Sequence, residues 1–252
     1  MILDLFADII LKTTKEIFIV PACAVGYLAL NKRIFANIIM LITFTMVYNT
    51  FLKYQFKVPL SFKDGYAFPS GHMHFAFIFW TALAVQYKNK LLKAVAFLMI
   101  ALVGCCLVYK GYHSIVDVLA SIGFGGITII LFKIYNTSFK GATSSVIMGI
   151  VLIFIAIMLS YSMKEFQSHL YVAFGALFGA TIGYYLNISS NLHVKSTVIK
   201  LVIGGAGIVT FAMIYTILPA AMQSGWGKFA LFFILNLWIT FLAEKTAKVC
   251  LR

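Results

Sequence analysis

Long apolar stretches constrain the fold of this chain more than any other feature of its sequence. A helix needs about 20 largely apolar residues to cross the hydrocarbon core of a bilayer. Nine stretches meet or approach that length, over residues 16–31, 34–52, 71–87, 91–109, 116–135, 144–163, 169–188, 198–220 and 228–246. The sequence therefore predicts an all-α fold, a polytopic transmembrane helix bundle of nine spans. It has eight spans if the first stretch, which is short and contains Pro21, does not cross.

The composition excludes the soluble classes of protein. Of the 252 residues, 62% are hydrophobic and 11% are charged, whereas a soluble domain has roughly 25% charged residues. A soluble protein of this composition would expose far more apolar surface than water tolerates. The four cysteines form neither a disulfide framework nor a metal-binding spacing, because Cys105 and Cys106 are adjacent in an apolar run and the other two lie far from them.

The basic residues indicate how the spans are oriented. The net charge of +13 is spread over short loops, so it does not predict nucleic-acid binding. With nine spans, the loops on one side hold a single acid, Glu244, and twelve basic residues: Lys32, Arg33, Lys88, Lys90, Lys93, Lys133, Lys140, Lys195, Lys200, Lys245, Lys248 and Arg252. The positive-inside rule makes that side cytoplasmic and places the C-terminus there. The loops at 53–70 and 110–115 then face outward.

The first residues predict a helix of another kind. Within residues 2–11 the apolar side chains recur at helical spacing, while Asp4 and Asp8 lie on another face. This pattern is typical of a helix that lies in the membrane interface.

A phosphate-binding helix terminus is predicted where the outer loop enters the third span. Ser70 can cap that helix, and Gly71 lets a ligand approach the first backbone N–H groups, which have no intrahelical acceptor. The positive end of the helix dipole favours an anion there. His72 follows on the same turn, whereas His74 points about 200° around the helix from it, which favours a packing role.

A nucleophile with an orienting carboxylate is predicted where the fourth span meets the fifth. His113 and Asp117 are four residues apart and lie on one helical face, so the carboxylate can bond one ring N–H and leave the other nitrogen free to attack. Between His72 and His113 there is room for one helix in and one helix back, so both imidazoles return to the same membrane face. Each pattern alone is weak evidence for a catalytic site. The combination of both, in this order, at this separation and on one membrane face, is strong evidence.

These residues together resemble the type 2 phosphatidic acid phosphatase superfamily of integral membrane lipid phosphatases. The family shows Lys-x6-Arg-Pro, then Pro-Ser-Gly-His, then Ser-Arg-x5-His-x3-Asp. The second motif is present in full as Pro69-Ser70-Gly71-His72, the third keeps His113 and Asp117, and the first keeps Lys53. The resemblance implies that His113 attacks phosphorus to give a phosphohistidine intermediate, that Asp117 orients His113 and that His72 protonates the leaving group. It also implies that Lys53, Ser70 and the Gly71 amide hold the phosphate oxygens.

Both family arginines are missing from this chain. Leu60-Ser61 stands where the first motif has Arg-Pro, and Cys106-Leu107 stands where the third has Ser-Arg. Arginine binds phosphate bidentately, and its loss weakens such a site. Lys110 is three residues after Leu107 on the same helical face, so we expect Lys110 to bind phosphate in place of the third-motif arginine.

The sequence thus predicts a catalytic core over residues 1–140 and additional transmembrane helices over 141–252. Its predicted activity is metal-independent hydrolysis of a lipid phosphate or pyrophosphate, without a cofactor, at the outer face of a prokaryotic inner membrane. A lipid phosphotransferase with the same intermediate and a non-catalytic lipid-binding or lipid-transporting member are the alternatives. Undecaprenyl pyrophosphate, phosphatidylglycerophosphate, phosphatidate and lipid A phosphates all remain open as substrates, as does the oligomeric state.

Overall fold

The computed structural model describes residues 2–60, 65–163, 166–217 and 224–251. Ten helices lie within these residues. They are α1 (Ile2–Lys12), α2 (Glu16–Leu30), α3 (Lys32–Phe56), α4 (Gly71–Tyr87), α5 (Lys90–Tyr109), α6 (Ile115–Ser138), α7 (Ala142–Tyr161), α8 (Ser168–Ser189), α9 (Thr197–Ile217) and α10 (Gly225–Cys250).

A helix lies at each of the nine apolar stretches, which confirms the polytopic helical bundle. Among the described residues, seven helices are long and apolar enough to cross a membrane: α3 and α5 to α10. Helix α4 has 17 residues, about 25 Å of helix, close to the shortest length that spans. Helix α2 is shorter and combines Pro21 with a π-helical turn over Gly26–Leu30. Residues 218–220, the end of the eighth predicted stretch, lie outside the described residues.

The chain divides into two compact units. The first comprises Met1–Ile19 and Thr45–Phe139, and the second comprises Val20–Phe44 and Lys140–Arg252. Every residue predicted from the motifs belongs to the first unit. The assignment of catalysis to residues 1–140 stays a prediction.

Close packing within the first unit brings α4, α5 and α6 together. A Cβ atom added to Gly104 of α5 would lie 3.2 Å from Val118 Cγ1, and one added to Gly125 of α6 would lie 2.6 Å from a ring carbon of Phe77. These glycines therefore allow the neighbouring helices to approach, as small residues do in membrane bundles.

Within the same unit, α1 packs on α5 through a single face. Ala7, Ile10 and Leu11 are buried with Val103 and Leu107 of α5 in one apolar cluster. The remaining apolar side chains of α1 are exposed, namely Ile2, Leu3, Leu5, Phe6 and Ile9. The helix is amphipathic, as its sequence predicts.

In the second unit, α8 and α10 approach so closely that their contact includes backbone atoms. A Cβ atom at Gly175 would lie 2.2 Å from the Phe229 carbonyl oxygen, and one at Gly179 would lie 2.3 Å from that of Phe233. This glycine pair therefore serves packing within the chain.

Candidate active site

The first turn of α4 is fixed by Ser70, which is fully buried. The Ser70 hydroxyl oxygen accepts a hydrogen bond from the Met73 N–H at 3.4 Å, so Ser70 is the N-cap residue predicted from the sequence. Gly71 and His72 follow as the first two helical residues, and His72 is exposed. The Gly71 N–H is at the helix terminus, where helix geometry provides no intrahelical acceptor.

A reciprocal cap fixes Asp117 in the first turn of α6. The Asp117 carboxylate accepts a hydrogen bond from the Ser114 N–H at 2.8 Å, and the Ser114 hydroxyl accepts one from the Asp117 N–H at 3.2 Å. This is a capping box, with Asp in the position where Glu is commonest. It holds the buried carboxylate on the same side of α6 as the preceding His113.

His113 lies in the tight connection between α5 and α6. Gly111 adopts a left-handed conformation with φ +67°, and the N–H groups of Tyr112 and His113 both donate to the Leu107 carbonyl, at 3.1 and 3.4 Å. These bonds satisfy the end of α5 and turn the chain back within a few residues. The His113 side chain, 9% exposed, then faces Asp117, with Nδ1 3.6 Å from Oδ2.

The surroundings of His113 favour its neutral form. Burial lowers the pKa of the imidazole to about 4, the positive charges of Lys53 and His72 lower it as well, and Asp117 opposes them. Because Nδ1 faces the carboxylate, Nε2 is the nitrogen that can attack an electrophile. The 3.6 Å separation is longer than a hydrogen bond, and catalytic hydrogen bonds are often long before substrate binds.

The two motifs meet at their backbones. The Ser70 N–H donates to the Asp117 carbonyl oxygen at 3.2 Å. The Ser121 hydroxyl of α6 lies 2.9 Å from the Ser70 carbonyl oxygen, although Ser121 and Ser70 are 51 positions apart in the sequence. The structure therefore places the capped start of α4 beside the start of α6.

Lys53 belongs to this same neighbourhood. It lies in the last turn of α3, and its ammonium donates to the Tyr66 carbonyl oxygen in the loop that leads to α4. Its charge contributes to the low pKa of His113. Lys53 is thus near the nucleophile, while its predicted contact with phosphate stays a prediction.

Lys110 is engaged elsewhere. Its Nζ lies 2.9 Å from Asp8 Oδ1 and 3.6 Å from Asp4 Oδ1, so its ammonium forms ion pairs with α1. The hydrogen bond to Asp8 is the main cause of a raised Lys110 pKa. The sequence predicts the helix α1 and a phosphate-binding role for Lys110, but it does not predict the contact between them. The binding of phosphate by Lys110 stays a prediction.

The segment that contains these residues is similar to a known protein family. Residues 46–140 match the family model described as PAP2 superfamily. This match agrees with the resemblance predicted from the motifs, and residues 46–140 are named here the PAP2 segment. It runs from α3 past the end of α6 and includes every catalytic and phosphate-binding residue predicted from the motifs. The superfamily generally hydrolyses phosphate esters. The searches of curated proteins and of solved structures gave no significant match.

Three buried polar residues of the PAP2 segment were not predicted as part of the site. The Asn49 amide nitrogen lies 3.4 Å from the Pro69 carbonyl oxygen and 3.3 Å from His74 Nδ1. His74 is fully buried and packs edge-to-face on Tyr48. Ser121 is the third such residue. A signal was available for two of them, since Asn49 is four residues before Lys53 and Ser121 is four after Asp117, on the same helical faces.

Within the described ranges, no group of three or more histidine, cysteine, aspartate or glutamate side chains lies close enough to hold a metal ion.

Proposed function

We propose that this protein is an integral membrane lipid phosphatase that hydrolyses a lipid phosphate or pyrophosphate at the outer face of the membrane through a phosphohistidine on His113. The observation that supports it best is the meeting of His113, Asp117 and the capped start of α4. A neutral imidazole, an orienting carboxylate and a helix N-terminus then serve one reacting phosphorus.

In the first step, His113 Nε2 attacks the phosphorus and the bond from phosphorus to the leaving oxygen breaks. Phosphorylation makes the ring cationic, and Asp117 stabilises that charge through Nδ1–H, as the carboxylate does in a catalytic triad. His72, in its protonated form, gives a proton to the leaving oxygen. The products of this step are the dephosphorylated lipid and phosphohistidine.

In the second step, water replaces the lipid. His72 now takes a proton from the water, whose oxygen attacks the phosphorus while the bond from phosphorus to Nε2 breaks. Inorganic phosphate leaves and both histidines return to their starting protonation states. His72 alone donates a proton in the first step and regains one in the second, so the mechanism requires no metal ion. We therefore expect activity that survives a chelator.

The phosphate oxygens are held by Lys53, Ser70 and the Gly71 N–H. Lys110 joins them when its ammonium, which now contacts Asp8 and Asp4, turns from α1 toward the substrate. The excess of basic residues in the opposite loops supports an outward-facing site and a cytoplasmic C-terminus.

A non-catalytic lipid binder is the second candidate function. It is favoured by one observation: the cation expected to replace a missing arginine is paired with α1. A protein that only binds lipid has no use for an oriented nucleophile, so the pairing of His113 with Asp117 favours the enzyme.

Phosphate release by the detergent-purified protein tests the proposal. The panel is undecaprenyl pyrophosphate, phosphatidylglycerophosphate, phosphatidate and lipid A, each with and without chelator, beside a His113→Ala variant. We expect release from at least one lipid, unchanged by chelator and absent in the variant. Release that persists in His113→Ala, or no release from any lipid by folded protein, would contradict the proposal. Loss of release with chelator would contradict metal independence.

A further inference from the structure

We propose that Asn49 and Ser121 are positioning residues that clamp the phosphate-binding turn to the helix of the nucleophile. This inference rests on the proposed function, because it assigns a role within the same site. The two residues, named here the Ser70 clamp, approach the Pro69–Ser70–Gly71 turn from α3 and from α6. Neither belongs to the three motifs.

Ser121 connects the two halves of the site. Its buried hydroxyl lies 2.7 Å from the carbonyl oxygen of Asp117 on its own helix and 2.9 Å from that of Ser70 at the start of α4. Both oxygens are acceptors only, so the single hydroxyl hydrogen is shared between them. The hydroxyl thus connects the residue that caps the phosphate-binding helix with the residue that orients the nucleophile.

This bond is not needed to satisfy either carbonyl group. The Ser70 oxygen also accepts from the His74 N–H at 3.0 Å, and the Asp117 oxygen also accepts from the Ser70 N–H at 3.2 Å. Removal of the Ser121 hydroxyl therefore leaves no buried carbonyl without a donor, and the fold loses little. The substitution removes one of the two hydrogen bonds that fix the distance between the start of α4 and the start of α6.

Asn49 holds the turn from the other side. The Pro69 carbonyl oxygen can only accept, so the amide nitrogen of Asn49 must face it, and the second amide hydrogen points to His74 Nδ1. The amide oxygen then lies beside Gly71, where it would be 3.3 Å from an added Cβ atom. Asn49 therefore lies under the first turn of α4 and holds the peptide group between Pro69 and Ser70.

The Ser70 clamp affects the reaction because phosphoryl transfer depends on the relative position of the reacting groups. The N–H groups at the start of α4 and the ring of His113 must reach the same phosphorus, and a displacement of about 1 Å can cost about 100-fold in rate. Hydrogen bonds between backbone carbonyls and buried side chains restrict such displacements. The clamp thus acts through Ser70 and Asp117 and does not touch the substrate.

The test compares Ser121→Ala with Thr128→Val. Thr128 lies on α6 seven residues further on and is buried, and its hydroxyl donates to the Phe124 carbonyl of its own helix. Turnover of the lipid from the panel that is hydrolysed fastest, thermal unfolding, and binding of orthovanadate by calorimetry are measured for both. We expect Ser121→Ala to lower kcat about tenfold with KM changed less than about threefold, and to weaken vanadate binding. Thr128→Val should leave all three at the wild-type level.

The outcomes separate the clamp from the proposed function. If the wild type turns over lipid and Ser121→Ala keeps its kcat within about twofold, the clamp is wrong and the phosphatase stands. The same conclusion follows if Thr128→Val loses as much kcat as Ser121→Ala. If the wild type has no turnover, the phosphatase is wrong and vanadate decides the clamp: weaker binding in Ser121→Ala alone supports it. Equal binding in all three proteins, or binding in none, overturns it.

Asn49→Asp provides an independent check on the other half of the clamp. The substitution keeps the shape of the side chain and replaces the amide that donates to Pro69 with a carboxylate that cannot donate. We expect a loss of kcat of at least about tenfold at neutral pH, partly recovered on acidification as the carboxyl group gains a hydrogen to donate. A loss of activity independent of pH, or no loss, would contradict the positioning role.

Discussion

At the scale of single residues, the site depends on an imidazole that remains neutral among positive charges. His113 is nearly buried beside Asp117, and both Lys53 and His72 oppose its protonation. A neutral ring is the form that can attack phosphorus. In the proposed mechanism the same positive charges attract the phosphate, so one arrangement of charge would serve both nucleophile and substrate.

The titration of His113 is the first prediction. Its pKa of about 4 lies below the ordinary 6.5, so the ring stays neutral as the pH falls from 7 to 5 and is protonated only near pH 4. Lys53→Met removes a charge that opposes protonation, and the pKa should rise toward 6.5. An NMR titration of labelled histidine measures both values.

Lys57→Met is the matched control, because Lys57 is exposed and follows Lys53 by four residues. It should leave the His113 titration unchanged. A wild-type midpoint near 6.5, or an equal shift in both variants, would contradict this account of the charge environment.

The ion pair between Lys110 and α1 gives a second prediction. If Lys110 replaces a family arginine, Lys110→Ala lowers kcat/KM about tenfold or more, since loss of one charged donor commonly costs that much. Asp8→Asn frees the ammonium and should raise kcat/KM severalfold, whereas Asp4→Asn, whose carboxylate is farther away, should do less.

In the Lys110→Ala background, Asp8→Asn should have no effect, because the two residues act as a pair. Undiminished turnover in Lys110→Ala would refute the replacement of arginine by this lysine. An equal gain in kcat/KM from Asp8→Asn in the wild-type and Lys110→Ala backgrounds would mean that the effect arises from α1 and not from Lys110.

At the scale of helices, capping residues determine where the site is built. The predicted third span, 71–87, coincides with α4 because Ser70 caps its start and Lys88 ends it in a left-handed conformation. Local signals of this kind are present in the sequence. Helical spacing from Lys53 and Asp117 indicates the residues of the Ser70 clamp. Their contacts, and the partner of Lys110, depend on which helices pack together, and no local pattern specifies that packing.

Glycines at helix contacts give the prediction at this scale. Gly175→Ala adds a Cβ atom that would lie 2.2 Å from a backbone oxygen of α10, so the helices must separate. We expect a loss of about 1–3 kcal/mol in the free energy of unfolding. Thermal or SDS unfolding of the purified protein measures it.

Gly123→Ala is the control on α6, since an added Cβ atom there meets nothing within 4 Å. It should be neutral or stabilise the helix by up to about 1 kcal/mol. Equal effects of the two substitutions would mean that the contact between α8 and α10 is looser than the structure shows.

At the scale of the whole molecule, composition and periodicity determine the class of fold. The apolar stretches predicted a helical membrane protein, and the family match over residues 46–140 agrees with the motifs. The grouping of Val20–Phe44 with the C-terminal helices was not predictable. It depends on tertiary contacts such as the bond from the Tyr27 hydroxyl to the Thr240 carbonyl, 213 positions apart in the sequence.

The orientation of the chain is testable by cysteine labelling in intact cells. In a background that lacks the other cysteines, Tyr112→Cys, at an exposed position beside His113, should react with an impermeant maleimide added outside. Cys250, exposed near the C-terminus, should react only after the membrane is permeabilised. The reverse pattern would contradict the outward-facing site.

The central claim is that His113 carries the phosphoryl group, and trapping of the phosphoenzyme tests it most directly. The protein is mixed with a lipid phosphate labelled with radioactive phosphorus, quenched in alkali and digested. The account predicts an acid-labile, alkali-stable label on the peptide that contains His113, absent in His113→Ala and retained in His193→Ala, whose exposed histidine lies in the loop before α9. Label that persists in His113→Ala, or phosphate released with no labelled protein at any time, would contradict it.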